Sequence, residues 1–350
     1  MFGGYCFGKR IRLAIALTGL LACTSFVGCA KREEKVMGIK IGVSVYDTHD
    51  AYLSALLSEF NSYITEKAKE TGIAMSVEVQ NSNGSQATQN NSVEDMIDNG
   101  CDVLCVNLVD RTDPTVIIDM AQQKNIPVIF FNRELVEGDI ERWSRLYYVG
   151  ANAEESGTLQ GEVAIDAIEN NDIDKNGDGA IQYVMIEGEA GHQDSKIRTE
   201  TSVAVIKDAG IKVEKVASAI ANWDRAQALT KMSGIIDEYG DEVELVLSNN
   251  DDMALGAIDA YEEAGISDEK RPIVIGIDGI DEGLEAVRNG KMYGTVYNDK
   301  EGQAKAMAEL IYSELVTKDF SAIEFKTGRY VRLPYAKVLK SDTIGTKYSR

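Results

Sequence analysis

At 350 residues the chain is longer than one hydrophobic core usually grows, so its length points to two domains. The composition is that of an ordinary soluble globular protein, and a formal charge of −21 with a pI near 4.6 excludes the basic face that nucleic acid requires; neither half contains a long run of Lys or Arg.

Residues 1–29 differ in kind from the rest. A basic KRIR at 9–12 is followed by the apolar LAIALTGLLACTSFVGC and then by the charged AKREEK. This is the n-region, h-region and small-residue cleavage site of a signal peptide, too short and wrongly flanked for a stable membrane span. A buried first helix is the plain alternative, but nothing amphipathic appears in the segment. A cysteine at its end suggests a lipoprotein, cleaved to expose an N-terminal Cys for diacylation. Cys29 after FVG and Cys23 after LLA both qualify. Cys29 is preferred because it leaves the longer h-region and directly precedes a polar tether, residues 30–38, although Phe26 is unusual three residues before the cut. The expectation is an extracytoplasmic protein, lipid-anchored to the cell membrane or periplasmic.

From Ile39 onward, short apolar strands alternate with amphipathic helices, the pattern of a parallel sheet covered on both faces. The strands are IKIGVSVY, MSVEVQ, DVLCVNL and PVIFFN, then, after a break, AIQYVMIEG, IKVEKVAS, VELVLSN and PIVIGID. Helical segments such as YLSALLSEFNSYITEKAKE and MALGAIDAYEEAG lie between them, apolar at three- and four-residue intervals. Two such sets predict an α/β fold of two doubly wound parallel-sheet domains, with RELVEGDIERWSRL and YYVGAN marking the passage between them. Cys101 and Cys105, four residues apart along a strand, would be about 13 Å apart. That is too far for a disulfide, so both are read as small core residues.

The stretch DKNGDGAIQY begins like a calcium-binding loop. Asp174, Asn176, Asp178, the Ala180 carbonyl and Gln182 fall at alternating positions with Gly179 at the sharp turn, but Met185 stands where a helix-loop-helix hand has its bidentate glutamate. The residues that follow read as a strand, so this is not an EF-hand. Either the loop is an Asp/Asn/Gly-rich surface turn or its missing carboxylate comes from elsewhere in the chain.

In doubly wound sheets, ligands collect outside the carboxyl ends of the strands. Those ends here carry Asp50 and Tyr52 in DTHDAY, and Asn132 and Arg133 in FFNRE. In the second half they carry His192, Asp194 and Arg198 in GEAGHQDSKIR, Trp223 in IANWDRAQ, Asn250 in LSNNDDM, Asp278 in IGIDGID and Asn298 in TVYND. Singly, each has a plainer reading as a loop residue, a helix anchor or a turn former. Together, carboxylates, amides, a guanidinium and two aromatic faces suit a sugar, whose hydroxyls donate and accept around an edge while its C–H faces pack on rings.

With these residues in order, the sequence resembles the periplasmic D-galactose/D-glucose-binding proteins of ABC sugar importers, in the type I periplasmic-binding-protein superfamily. The resemblance runs from about Ile39 to the VRLPY region, through VNLVD, VIFFN, YYVG, ESGTLQGE, the calcium loop, GHQD with its following Arg, NWDRAQA, SNNDDMALGA, GIDGI and GTVYND. It implies an N-terminal domain of 39–149 plus 299–331 and a C-terminal domain of 151–297 plus 333–350. A three-stranded hinge would run near Val149 to Ala151, Tyr297 to Lys300 and Val331 to Pro334. It also implies a sugar ring between Tyr52 and Trp223, with hydroxyls bonded by Asp50, Asn132, His192, Asp194, Arg198, Asn250, Asp278 and Asn298. The aspartate at the Asp50 position accepts from the 4-hydroxyl of either epimer, so both hexoses would bind. Two positions depart from the family: Tyr52 replaces a phenylalanine and Arg133 a lysine. The calcium loop would be completed by Glu244, giving a structural Ca²⁺ site that touches no substrate.

The expected function is a receptor that closes on D-galactose or D-glucose and delivers it to an ABC permease, as a monomer, with a chemoreceptor left open as a further partner; another monosaccharide is the alternative ligand. An enzyme using Asp50 and Asp194 as an acid-base pair is disfavoured, because no nucleophile stands beside a base and the first strand lacks a G-x-G-x-x-G turn. A sugar-responsive transcription factor on the same fold would need a helix-turn-helix where the signal peptide stands.

Overall fold

The computed structural model describes residues 38–344 and Tyr348. The signal peptide, the lipidation position Cys29, and all but the last residue of the tether lie outside the described residues.

Two six-stranded sheets organise the chain. The first contains β1 (Ile39–Val45), β2 (Met75–Asn81), β3 (Val103–Val106), β4 (Val128–Phe131), β5 (Leu146–Gly150) and, from far along the chain, β11 (Tyr330–Arg332), in the order β11-β5-β4-β3-β1-β2. The second contains β6 (Ile181–Glu187), β7 (Val213–Ile220), β8 (Leu245–Ser248), β9 (Ile273–Ile275), β10 (Gly294–Asn298) and β12 (Tyr335–Leu339), in the order β12-β10-β9-β8-β6-β7. The two orders are the same pattern used twice. Every pairing is parallel except that of β10 with β12.

The strand sequences explain the layering. The central strands β3, β4 and β8 are buried at every residue because helices cover both faces, whereas the edge strands β2 and β7 alternate between covered and exposed positions. Helices α1 (Ala51–Thr71), α2 (Gln86–Asp98) and α3 (Thr115–Lys124) link the strands of the first lobe. In the second lobe this is done by α4 (Ala153–Asn170), α5 (Gln193–Asp208), α6 (Arg225–Tyr239), α7 (Asp251–Glu263) and α8 (Asp281–Asn289). The last helix, α9 (Lys300–Tyr312), returns to the first lobe and packs on α1.

The chain passes between the lobes where β5 leads into α4, where β10 leads into α9 and where β11 leads into β12. At the third passage the Leu333 amide donates to the Gly150 carbonyl of the first, 2.9 Å away. Cys101 and Cys105 are both buried and free, but Cys101 precedes β3 and does not lie on it, so a spacing counted along one strand does not describe the pair. Gly42 lets both Cys101 and Met96 approach β1, since a Cβ there would sit 2.7 Å from the Met96 sulfur and 3.1 Å from the Cys101 sulfur.

Candidate functional site

On the first lobe, the turn from β1 into α1 places Asp50 and Tyr52. Asp50 is the N-cap of α1: its Oδ1 accepts from the Leu53 amide at 2.9 Å and its Oδ2 from the Tyr46 hydroxyl at 2.6 Å. Tyr52, in the first turn of that helix, is buried. Asn132 follows β4 with a left-handed backbone, φ 59°. Its Oδ1 accepts from Asn107 Nδ2 at 3.0 Å and its carbonyl from the Tyr148 hydroxyl at 2.7 Å.

On the second lobe, Gly188 follows the end of β6, and a Cβ there would lie 2.2 Å from the Trp223 ring, so only glycine lets the indole lie across that strand end. Trp223 itself has φ 64° and meets His192 edge-on at 5.1 Å between centroids. His192 is the N-cap of α5 and accepts from the Asp194 amide through Nδ1 at 3.1 Å, which leaves its proton on Nε2. Burial, then Arg133 and Arg198, push the imidazole well below its usual pKa, so it is neutral. One turn along α5, the buried Arg198 donates to the Asn249 carbonyl at 2.8 Å and to the Tyr335 hydroxyl at 3.1 Å. It also faces Asp278 at 3.5 Å and Asp194 at 3.8 Å. Burial raises both carboxyls above the usual aspartate range, Asp278 strongly so, against the opposing pull of Arg198. Asn250 caps α7, its Oδ1 accepting from the Met253 amide at 2.9 Å.

All of the sugar-site residues named from the sequence except Asn298 line one cavity between the lobes, joined by Tyr46. Asn298 stands just behind, at the end of β10, hydrogen-bonded through its side chain to Asp278 and accepting from Gln303 Nε2 at 2.7 Å. The cavity is about 30 Å³ and opens toward a larger one of about 270 Å³ at the cleft mouth, with which it shares Tyr46, Asp50 and Trp223. The inner space has room for about two waters, too little for a sugar ring with the lobes placed as they are.

A chemical division runs through the lining. The acceptor atoms of Asn132, His192 and Asn250 are engaged by the fold, which leaves N–H donors available in each, while Asp50, Asp194 and Asp278 supply acceptors. Backbone strain is concentrated in the same place: Asn83, Asn132, Asn222, Trp223 and Asp278, all non-glycine residues of positive φ, line one or other of the two cavities.

Sequence reasoning did not single out three groups that matter here. Tyr46 holds the Asp50 carboxylate and ends β1, so the rule that located its neighbours would have found it too. Asn249 positions the whole α5 turn, its Oδ1 accepting from the Gly188 amide and the Ser195 hydroxyl at 3.1 Å each. Glu189 crosses the cleft: Arg133 donates to it at 2.5 Å, while the guanidinium stacks over the Tyr46 ring at 3.7 Å and donates to the Val109 carbonyl at 2.8 Å. Only a folded structure reveals that pairing.

The loop between α4 and β6 gathers the oxygen-bearing side chains of the calcium motif. Asp174 accepts from the Gly177, Asp178 and Gly179 amides, and Asn176, Asp178 and Gln182 are linked by side-chain hydrogen bonds of 3.0 to 3.1 Å. Ala180 follows in the same turn, its amide donating to Asp178 Oδ1 at 2.8 Å. Glu244, 1% exposed at the start of β8, lies over this loop, with its oxygens accepting from the Lys175 and Gln182 amides. Among the described residues, no Lys or Arg forms an ion pair with Asp174, Asp178 or Glu244. The set is rich in oxygen donors and lacks a cationic side chain, the chemistry a hard divalent cation takes, but among the described residues no three carboxylates are drawn together in a metal-holding arrangement, and the Asn176 and Gln182 amide nitrogens donate within the loop.

Comparison with known proteins agrees with this architecture. Residues 41–319 match the family model described as a periplasmic binding protein domain. The chain is 35% identical over 312 residues to a D-galactose/methyl-galactoside binding periplasmic protein of Haemophilus influenzae, covering 87% of this chain and 91% of that one. It is 29% identical to the ribose import binding protein of Escherichia coli, covering 71% of this chain and 78% of that one. Among solved structures, an ABC transporter solute binding protein from Bacillus halodurans with bound myo-inositol superposes with a TM-score of 0.70 at 25% identity, covering 88% of this chain and 97% of that chain.

Proposed function

The chain belongs to the periplasmic binding protein family, and from that premise we propose that it takes D-galactose or D-glucose into the cleft between its lobes and delivers the sugar to an ABC permease. Family membership makes it an extracytoplasmic sugar-binding receptor of ABC transport and not an enzyme. The observation that carries the hexose reading is the convergence of Asp50, Tyr52, Asn132, His192, Arg198 and Trp223, with their neighbours, on one inter-lobe cavity.

The lobes open about their three connections, a pyranose enters against Trp223, and closure brings Tyr52 over its other face. Asn132, His192, Asn250 and Arg198 then donate to ring and hydroxyl oxygens, and Asp50, Asp194 and Asp278 accept from hydroxyl protons. An epimer that leaves one of these buried groups unpaired loses about 1 to 3 kcal/mol, so recognition follows from hydrogen-bond completeness. The phenol of Tyr52 favours a second reading, in which the pocket prefers another monosaccharide or polyol; relatives are named for ribose and xylitol.

Asp174, Asn176, Asp178, the Ala180 carbonyl, Gln182 and Glu244 would hold a Ca²⁺ ion. Its chemistry there is to tie the α4–β6 loop to the start of β8. Diacylation at Cys29 would keep the receptor beside its permease.

The test is calorimetric titration of the protein with D-glucose, D-galactose, D-xylose, D-ribose and myo-inositol, with and without a calcium chelator. One-to-one binding of either hexose with Kd of about 1 μM or below supports the reading. Silence toward both hexoses beside binding of another sugar transfers the assignment to that ligand.

A further inference from the structure

Tyr52 is 3% exposed and lines the inter-lobe cavity, and among the described residues its hydroxyl has no hydrogen-bond partner. An unpaired buried hydroxyl is costly, and a phenylalanine in its place would fill the same volume without that cost. Tyr261 also lacks a partner for its hydroxyl, but it packs within the hydrophobic core and lines neither cleft cavity. Tyr52 instead borders the cavity that Arg198 and Asp278 line from the other lobe, and the charges of Asp278 and Arg198 act on its hydroxyl. Arg198 lines the same cavity from the other lobe, and its buried Nε likewise has no hydrogen-bond partner among the described residues. Two unengaged donors, one from each lobe, therefore border one small space. Burial keeps the phenol protonated, so it enters that space as an O–H donor.

We propose that Tyr52 is a specificity-determining residue whose hydroxyl donates to one hydroxyl of the bound monosaccharide, the one that Arg198 and Asp278 hold from the opposite lobe. This rests on the sugar-receptor reading above. A ring stacked on a pyranose face carries its para oxygen past the edge of that face, which is where equatorial hydroxyls project. The shared hydroxyl is then gripped from both lobes, and only after closure. A sugar lacking that oxygen, or presenting it on the other side of the ring, leaves the Tyr52 hydroxyl unpaired.

The experiment is a mutant cycle. The wild type and Tyr52→Phe are titrated calorimetrically with D-glucose, D-galactose and the singly deoxygenated analogues of each. Tyr52→Phe is expected to weaken the preferred hexose about tenfold while its melting temperature without sugar is unchanged or higher. One deoxy analogue should bind wild type and variant equally, and every other analogue should keep the tenfold difference. Equal or tighter binding of all sugars by Tyr52→Phe overturns the proposal, as does a difference that no single deoxygenation removes. If the wild type binds neither hexose, the hexose-receptor reading has failed and this proposal with it. If the wild type binds and the cycle shows no coupling, only the role of Tyr52 is refuted.

Discussion

The contact between Arg133 and Glu189 spans the two lobes, so it exists only while the cleft is closed, and removing it should act on closure rather than on sugar recognition. Arg133 is 6% exposed, fixed by the Val109 carbonyl and the Tyr46 ring, whereas the Glu189 side chain is 44% exposed. The guanidinium is therefore already oriented when Glu189 arrives, but solvent screens the carboxylate. A value of about 1 kcal/mol follows, above the median for exposed pairs and below that of buried charged hydrogen bonds. Glu189→Gln removes the charge at constant shape and should reduce the closed population, raising the apparent Kd about fivefold. Because the contact does not line the inner cavity, the factor should be the same for D-glucose, D-galactose or any other ligand. Raising NaCl from about 0.05 M to about 0.5 M should weaken wild-type binding and leave the variant nearly indifferent. Arg133→Lys should resemble Glu189→Gln, since an ammonium can neither stack on Tyr46 nor, as a planar fork, hold the Val109 carbonyl and Glu189 together. Calorimetry on two or more sugars decides the matter: a loss that differs among sugars, or an unchanged salt response in Glu189→Gln, refutes the assignment of this pair to closure.

Further outcomes follow from other positions. Gly188→Ala drives a methyl into the Trp223 ring, whose nearest atom would be 2.2 Å away. It should cost about 1 to 3 kcal/mol of stability and displace the indole, lowering hexose affinity at least about tenfold; unchanged titrations would sink this account of the strand end. Chelation should lower the melting temperature of the wild type, since an ion present at a hundred times its Kd contributes about 2.7 kcal/mol. Glu244→Gln should melt at the same temperature with or without chelator, while both proteins keep their sugar affinity; a chelator effect on binding alone would contradict a structural ion. Asp251, buried beneath the site and accepting from Thr295 and the Ile280 amide, is pushed by burial up to about 7, and Asp252 likewise to about 6. Folded pKa values above the unfolded ones mean that the stability these groups contribute is complete below the unfolded value and is lost as pH rises toward about 7. Thermal melts from about pH 5 to about pH 8 should show Asp251→Asn with a flatter profile than the wild type.

The two-lobed fold was legible because its signals are repeated. Each apolar strand is followed by an amphipathic helix, and the same strand order is used twice. The places where the chain crosses between lobes carry no such periodicity: β5, β10, β11 and β12 are not among the strands read from it, and the crossings beyond YYVGAN were located only through the resemblance. The left-handed backbone of Trp223 was equally hidden, since tryptophan does not advertise a positive φ in the way that glycine, asparagine or aspartate does. Arg133 and Glu189 are 56 positions apart and nothing local to either names the other.

The plainer readings weighed for individual site residues, a helix cap, an anchor or a turn former, describe their structural roles without displacing the functional one. Asp50, His192 and Asn250 are helix N-caps, and Asp278 is held in a positive-φ turn between β9 and α8. A cap commits one side-chain atom to a backbone amide, which fixes the rotamer and decides which atom remains for a ligand. For Asn250 the committed atom is the oxygen, so the N–H₂ group remains; for His192 it is Nδ1, so Nε2–H remains. For Asp50 both oxygens are engaged once, and each keeps a lone pair. Folding of the strand ends thus assigns donor and acceptor before any sugar arrives, and the ligand need not bear the entropy of ordering those side chains. It follows that Asp50→Asn should retain much of the α1 cap, since an amide oxygen still accepts from Leu53, yet present an N–H₂ group where Tyr46 and a sugar hydroxyl need an acceptor. Stability should change by less than about 1 kcal/mol, while hexose affinity falls at least about tenfold. A variant that lost both in proportion would show that Asp50 serves the helix and not the ligand.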